Sequence, residues 1–483
     1  MTNTYGNYID GEWQESASGE TVTVHNPADV TETIGEFQYS SAADVTTAVT
    51  AATEAQTEWA DRQATERGDV LRRVAEEIRA RSDELAETLT REEGKTVPEA
   101  AGEVSRAIDI LYYYAERVRD FGHDKKASST PDKDLSVVRE PVGVAGLITA
   151  WNYPFVIPVW KMAPAIATGN AVVFKPASNA PNCTRKLFEC FDEAGVPDGV
   201  VNYVTGSGSE VGNAILEHDA VDAVSFTGSK SVGYSVYDGA TEDMKRVQTE
   251  MGGKNPLIVS DTADMERALS IARWGAFGVT GQACTATSRA IVYEDVYDEF
   301  VEGIVERAED IDVGHGLDGA DMGPQASEGE LEGTLDYIDV GVTEGARLAT
   351  GGEELAGGSH EDGYFVEPTV FTDVDHEMRI AQEEIFGPVL AVLKVSGYEE
   401  ALEVANDVDY GLSASIATQD LAEAKQFADD IESGIVKINE QTSGTELHVP
   451  FGGFKDSSSN TYRESGDEGL RFFTSTKTIY ENW

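Results

Sequence analysis

Polar and apolar residues along this chain fall into successive patterns. A short opening, Asn7-Tyr8-Ile9-Asp10-Gly11-Glu12-Trp13, reads as a hairpin. From Ser41, with Asp44 placed to support an N-terminal cap, alanine-rich helical spacing continues to about Gly122. Val70, Leu71, Val74 and Ile78 mark one apolar helix face there, and packing accounts for the whole region without any chemistry. Residues 123 to 141 are polar and turn strand-like at Leu135-Ser136-Val137-Val138-Arg139-Glu140-Pro141. From Val142 onward, strand-like runs at 142–149, 171–175, 200–204, 222–226 and 246–250 alternate with helical runs near 155–168, 181–194, 209–217 and 229–239. Repeated strand and helix units predict an α/β fold with a parallel sheet covered on both faces. Such sheets bind ligands beyond the carboxyl ends of their strands.

Unusual residues stand just after each strand. They are Thr149-Ala150-Trp151-Asn152-Tyr153-Pro154, Lys175-Pro176-Ala177-Ser178, Gly206-Ser207-Gly208-Ser209-Glu210-Val211-Gly212 and Phe226-Thr227-Gly228-Ser229. The glycine-rich third loop is not a full GxGxxG and could be a tight turn. The fourth opens a helix, where free N–H groups and the helix dipole favour a phosphate. Further on, Glu250-Met251-Gly252-Gly253-Lys254-Asn255-Pro256 ends a strand-like run, and Cys284 stands between small and polar residues in Gly281-Gln282-Ala283-Cys284-Thr285-Ala286-Thr287-Ser288-Arg289. A lone thiol with a separate carboxylate suits covalent catalysis, in which one side chain attacks and the other handles water afterwards. Cys183 and Cys190 lie instead on an apolar helical pattern and read as buried hydrophobes.

Both segments, and nearly the whole chain with them, resemble the aldehyde dehydrogenase superfamily. The resemblance implies a Rossmann-type cofactor domain (1–122 and 142–253), an α/β catalytic domain (254–457) and a β oligomerisation arm (123–141 and 458–483), the arm pairing Leu135–Pro141 with Phe472–Tyr480. It implies NAD or NADP as cofactor. Lys175 and Ser178 would meet the adenosine ribose, while the loop with Gly208 and Gly212, and Thr227, Gly228 and Ser229, would line the adenine and pyrophosphate. Thr149, Ala150, Trp151, Phe226, Val232, Met251 and Gly252 complete that surface, with Glu384 on the nicotinamide ribose and Phe386 near the nicotinamide. A serine at 178 lacks the charge that a glutamate there would set against a 2′-phosphate, so NADP acceptance is expected. Cys284 would be the nucleophile, Asn152 with the Cys284 N–H the oxyanion donors, and Glu250 the base that hydrolyses the thioester. Lys161 would play a supporting part.

The cysteine and glutamate segments, with Pro450-Phe451-Gly452-Gly453-Phe454-Lys455-Asp456-Ser457-Ser458-Ser459, look most like the 2,5-dioxopentanoate (α-ketoglutaric semialdehyde) dehydrogenases. Succinic semialdehyde, betaine aldehyde and broad aliphatic aldehydes stay open as substrates. Tyr153, Ile157, Trp160, Thr285 and His448 are candidate pocket residues, His448 having the plainer reading of a solvated loop residue. No lysine or arginine is singled out to receive a substrate carboxylate. A CoA-acylating enzyme would share Cys284 but need no water-activating Glu250, and a non-catalytic protein of this fold would need none of these residues.

Length and composition bound the rest. A chain of 483 residues calls for more than one core. Its three cysteines form no disulfide framework or metal spacing, and its first residues resemble no secretion signal, so a reducing cytoplasm is expected, with no metal. The apolar stretch 142–168 is broken by Asn152, Pro154, Pro158, Lys161 and Pro164, which argues against a membrane span. The net charge of −52, from 88 acidic and 36 basic residues, disfavours nucleic acid and anionic membranes as partners. The acids are interleaved with periodic apolar residues, so they coat a folded, salt-adapted surface that repels itself unless screened. The Debye length is roughly 3 Å at about 1 M salt against roughly 30 Å at about 0.01 M. The melting temperature should therefore rise steeply between dilute buffer and molar KCl in a calorimetric scan; an unchanged value would contradict a salt-adapted surface.

Overall fold

The computed structural model describes residues 3–483. Its first large sheet has seven strands, five of them parallel: Arg246–Glu250, Ala223–Thr227, Val144–Ile148, Ala171–Lys175 and Val201–Tyr203 in spatial order. The opening hairpin, Asn7–Ile9 and Glu12–Gln14, adds two antiparallel strands at the edge beside Val201–Tyr203. Its turn uses Asp10 and Gly11, both at positive φ (54° and 78°), the twist that suits a two-residue hairpin. The intervening helices Val156–Ala167, Pro181–Glu193 and Lys230–Glu242 match the helical runs of the sequence to within a few residues. The run near 209–217 splits into a wide turn, Gly208–Gly212, and the short helix Asn213–Glu217.

The helical N-terminal region packs on this sheet. Helix Ala42–Asp61 opens with a capping box between Ser41 and Asp44, and the Asp44 carboxylate also accepts from Ala17 N at 3.0 Å and Ser16 Oγ at 2.8 Å. Helices Ala64–Ala80 and Val97–Arg117 bury Val70, Leu71, Val74 and Ile78 against Val104, Leu111 and Tyr114, in one core with Phe155, Phe174, Phe188 and Phe191. Two strands of this region, Thr21–Asn26 and Asp29–Gln38, carry no expectation in the sequence reading. They pair antiparallel in a small sheet, and their half-exposed, threonine-rich alternation is too polar to stand out as a strand signal.

A second seven-stranded sheet spans Arg347–Thr350, Thr369–Thr372, Val389–Val395, Thr287–Tyr293, Asn255–Val259, Ser413–Ala417 and Ile435–Ile438. All of its neighbours are parallel except the first pair. Helix Glu328–Glu344, against this sheet, shows how the acidic surface is made. Leu331, Thr334, Ile338 and Gly341 are buried while Glu328, Glu332, Asp336, Asp339 and Glu344 face solvent.

The arm differs from expectation in two ways. It is three-stranded, with Lys133–Pro141 flanked by His123–Lys126 and Thr474–Asn482, because the polar stretch after Gly122 finds backbone partners that its composition does not announce. Residues 458–473, expected in the arm, lie elsewhere: Leu470, Phe472 and Phe473 are buried in the first core, so burial of their apolar side chains holds this segment to the body and only the chain from Thr474 joins the arm.

Candidate active site

The strand order of the first sheet reverses between Val144–Ile148 and Ala223–Thr227, which is where an open parallel sheet leaves a crevice. Residues 150–152 and 227–229 meet there. They line a cavity of about 190 Å³ together with Met251, Gly252, Cys284, Glu330, Glu384 and Phe386. Trp151 and Phe386 stand edge to face, ring centroids 5.4 Å apart, and Phe386 is held at a positive φ of 61°. The Glu384 carboxylate accepts from Gly253 N at 2.9 Å. A Cβ on Gly252 would sit 1.9 Å from a Glu384 oxygen, so only glycine lets the two segments approach. Its neighbour Glu383 faces the other way, toward Arg379 and Tyr337.

These residues fit a dinucleotide. Thr227 Oγ1 is buried without a protein partner, Ser229 begins helix Lys230–Glu242 without capping it through its side chain, and the glycines leave the backbone bare. Lys175, Ser178, Gly208 and Gly212 lie outside this cavity in an adjoining group. Ser178 Oγ donates to Gly206 O at 3.1 Å, Gly212 lies against Lys175 Cδ, and Gly208 begins the turn capped by Ser207. Lys175 Nζ donates to Pro176 O at 2.7 Å, and burial lowers its pKa to about 8. Thr149 donates through its backbone to Lys175 O, joining the two groups. Val232, on the first turn of helix Lys230–Glu242, is exposed. Phe226 departs from expectation. Its ring is buried beneath Gly228 and Gly233, so it shapes the loop from below, and only its main chain can face a ligand.

Cys284 opens both onto this cavity and onto a second one of about 320 Å³ on its far side. The turn before it is strained, with Val279, Thr280 and Gly281 all at positive φ (52°, 56° and 68°). Two of the three are β-branched residues, for which this backbone is costly. Glu99 holds the turn by accepting from Val279 N at 2.7 Å, and Gly281 packs so closely on Gly387 that a Cβ would lie 2.1 Å from its carbonyl oxygen. Asn152 Nδ2 donates to Gln282 O at 2.9 Å, which ties the amide to the cysteine loop. Behind it Lys95 Nζ, fully buried, donates to Asn152 O at 2.9 Å and to Glu103 at 2.6 Å. Glu103 in turn accepts from Phe155 N and Val156 N at the start of helix Val156–Ala167.

Glu250 ends its strand with both carboxylate oxygens buried and without hydrogen-bond partners. Desolvation, with Glu464 adding to it, raises its pKa well above the usual carboxylate range, against the pull of Lys161 and Arg463. Burial likewise pushes the Cys284 thiol up, with Glu384, Glu250 and Glu464 contributing, while its own backbone N–H works in the opposite direction. Lys161 Nζ donates to Ser225 Oγ at 2.8 Å and to Glu464. Tyr153, Ile157, Trp160 and Thr285 line the second cavity with Cys284 and Glu250. His448 does not: it is exposed, on a loop outside the cavity. Glu464, Glu330, Lys95 and Arg106 contribute to these two cavities or their walls without having been singled out in the sequence. Each is one charged residue in a helical or polar run of this acidic chain, and nothing local distinguishes it.

Comparison with known proteins agrees with this geometry. Residues 13–479 match the model of the aldehyde dehydrogenase family. The chain belongs to the aldehyde dehydrogenase family. It is 56% identical over 483 residues to an alpha-ketoglutarate semialdehyde dehydrogenase of Haloferax volcanii, covering 100% of both chains. It is 42% identical over 468 residues to a 2,5-dioxopentanoate dehydrogenase of Saccharolobus solfataricus, covering 96% of this chain and 97% of the relative. A solved betaine aldehyde dehydrogenase of Staphylococcus aureus in complex with NAD+ superimposes with a TM-score of 0.96 at 37% identity, covering 99% of this chain and 95% of that one. The protein is thus an NAD(P)-dependent aldehyde dehydrogenase. Among the described residues no helix is long and apolar enough to cross a membrane, and no three His, Cys, Asp or Glu side chains converge as metal ligands.

The close approach at Gly252 gives a direct test of the dehydrogenase's cofactor crevice. Gly252→Ala should push Glu384 aside and weaken NAD(P) binding by about tenfold or more, a loss of about 1.4 kcal/mol, in a fluorescence titration. Unchanged affinity would show that Glu384 and Gly252 do not face the cofactor.

Proposed function

We propose that this aldehyde dehydrogenase oxidises 2,5-dioxopentanoate to 2-oxoglutarate, with NADP accepted alongside NAD. The observation that carries the reaction is the convergence of Cys284, Asn152 and Glu250 between two cavities, one fitted to a dinucleotide and one to a small aldehyde. The two full-length relatives support the substrate, since both are named for this aldehyde. Cys284 Sγ adds to the aldehyde carbonyl to give a thiohemiacetal. The Asn152 amide and the Cys284 N–H donate to its oxyanion, each such donor being worth roughly 3 kcal/mol of barrier. When bound in the crevice, oxidised nicotinamide supplies the hydride acceptor and a positive charge that opposes the carboxylate field on the thiol. Glu250 then takes a proton from the water that cleaves the thioester, which fits a hydrolytic rather than a CoA-acylating outcome.

Ser178 supports NADP acceptance. A neutral hydroxyl there would not repel a 2′-phosphate as a carboxylate would, and Lys175, three residues before it, would add a cation. The three free cysteines suit a reducing cytoplasm. The domains are read as residues 1–122 with 142–253 for the cofactor, 254–457 for catalysis, and 123–141 with the chain from Thr474 as the arm. Strand Thr474–Asn482 pairs on one side only and is exposed along nearly all its length. Strand Ile435–Ile438 likewise ends the second sheet with a free edge, beside an open cleft of about 840 Å³. Pairing of an arm with such an edge in a second copy would satisfy both, giving a homodimer or homotetramer.

Initial rates on 2,5-dioxopentanoate in molar KCl should exceed those on simple aliphatic aldehydes, with NADP and NAD both reduced; slow turnover beside fast aliphatic oxidation would remove the substrate assignment. Glu250→Gln should keep a single-turnover burst of reduced cofactor while the steady-state rate drops roughly 10²–10⁴-fold. Because Glu250 acts as a base only when ionised and its pKa is raised, wild-type hydrolysis should be lost as pH falls through that raised value. Equal loss of burst and steady state in Glu250→Gln would instead place the residue before the thioester. Deleting residues 474–483 should reduce the sedimenting mass in molar KCl, and retention of the wild-type mass would exclude the arm as the joint between subunits.

A further inference from the structure

The substrate cavity contains an unmatched positive charge. One face of helix Val97–Arg117 forms part of its wall, contributing Glu99, Gly102, Glu103 and Arg106 at helical spacing. Arg106 is the sole basic side chain that lines this cavity among the described residues. Of the four acids that line the cavity, Glu250 is the unpartnered base beside the thiol, and the other three are engaged. Glu103 pairs with Lys95 at 2.6 Å, Glu464 pairs with Lys161, and Glu99 accepts from Thr96 N at 2.9 Å, Thr96 Oγ1 at 2.8 Å and Val279 N at 2.7 Å. Arg106 itself forms no ion pair among the described residues, in a chain with 88 acidic side chains. Its one hydrogen bond goes to a neutral acceptor, the carbonyl of Thr445. A guanidinium carries five N–H donors in a planar fork, so most of its bonding capacity is left over.

We propose that Arg106 is the specificity residue that receives the substrate's carboxylate, in the cavity it shares with the reacting thiol. Cys284, Thr285 and Arg106 line this one cavity, and Tyr153, Val156, Ile157 and Trp160 offer apolar cover in it for a carbon chain. Gly102, one turn before Arg106, leaves open space, since a Cβ there would meet nothing within 4 Å. A fork of N–H groups matches a carboxylate with two parallel charge-assisted bonds, which a neutral aldehyde of the same length cannot supply. The cation also provides a local attraction inside a molecule whose net charge of −52 otherwise repels an anionic substrate. The assignment rests on the reading of the substrate as an aldehyde acid.

The test compares 5-oxopentanoate with pentanal, which share a five-carbon aldehyde chain and differ in the terminal carboxylate, on the full-length enzyme in molar KCl with saturating cofactor. Arg106→Gln retains a donor for the Thr445 carbonyl and should lower the acid-to-neutral ratio of kcat/KM by about 10- to 100-fold, mainly through KM for the acid. Arg106→Lys should recover part of that ratio. An unchanged ratio in Arg106→Gln, or equal losses on both aldehydes, would overturn the proposal. A wild-type enzyme that oxidises 2,5-dioxopentanoate no better than pentanal would sink the assigned substrate, whereas the ratio in Arg106→Gln would still decide the role of Arg106.

Discussion

The chain passes from the first sheet to the second through Glu250, Met251, Gly252, Gly253 and Lys254, and the site depends on how tightly it does so. A Cβ at Gly252 would strike the Glu384 carboxylate, and one at Gly253 would lie 2.6 Å from Cys284 O. Two loops from different parts of the second sheet are therefore pressed onto one bare stretch of backbone. The result places the cysteine turn and the Glu384 carboxylate directly on the main chain that follows a first-sheet strand, with no Cβ of that stretch in the way. Precise positioning of reacting groups is worth a large share of a catalytic barrier, and this stretch supplies it through main-chain packing.

Two of the ammonium groups buried around the site are paired with carboxylates, Lys95 with Glu103 and Glu93 and Lys161 with Glu464, whereas Lys175 Nζ donates to the Pro176 carbonyl and Lys254 Nζ is buried without a hydrogen-bond partner. Removing one partner from such a pair leaves an uncompensated charge and costs several kcal/mol, about 3–5 in typical cases. Both pairs touch working parts of the site: Lys95 holds the main chain of Asn152, and Glu464 faces Glu250 electrostatically. Glu250 has no hydrogen-bond partner for either oxygen, and desolvation is accordingly what dominates its titration. A base kept out of water and unpaired is weakly ionised but strong once it has lost its proton.

The acidic surface and the interior are separate adaptations carried by one sequence. On helix Glu328–Glu344 the exposed stripe is acidic while the buried stripe is ordinary, so the added charge leaves the core pattern intact. Screening by salt reaches the outer stripe and barely affects the paired charges inside. An anionic cofactor would meet this field at the crevice only where main-chain N–H groups and the start of helix Lys230–Glu242 supply a local attraction.

What the sequence alone determined is what local pattern encodes. The strands Ala171–Lys175 and Arg246–Glu250, the cap at Ser41 and the buried face of Val70, Leu71, Val74 and Ile78 follow from periodicity and capping chemistry, and the cysteine and glutamate segments carry the family in their own residues. Polar strands such as Thr21–Asn26 and His123–Lys126 were not legible, because each pairs with the next strand along the chain through backbone hydrogen bonds and carries no apolar alternation to announce it. Tertiary structure alone decided that His448 stays in solvent, that the Phe226 ring turns inward, and that Phe472 belongs to the body rather than the arm. It alone brought Glu464 to Lys161 and Arg106 into the cavity of Cys284. A charged residue on a helix looks the same in sequence whether it faces water or a substrate, and only the packing of the other elements determines which.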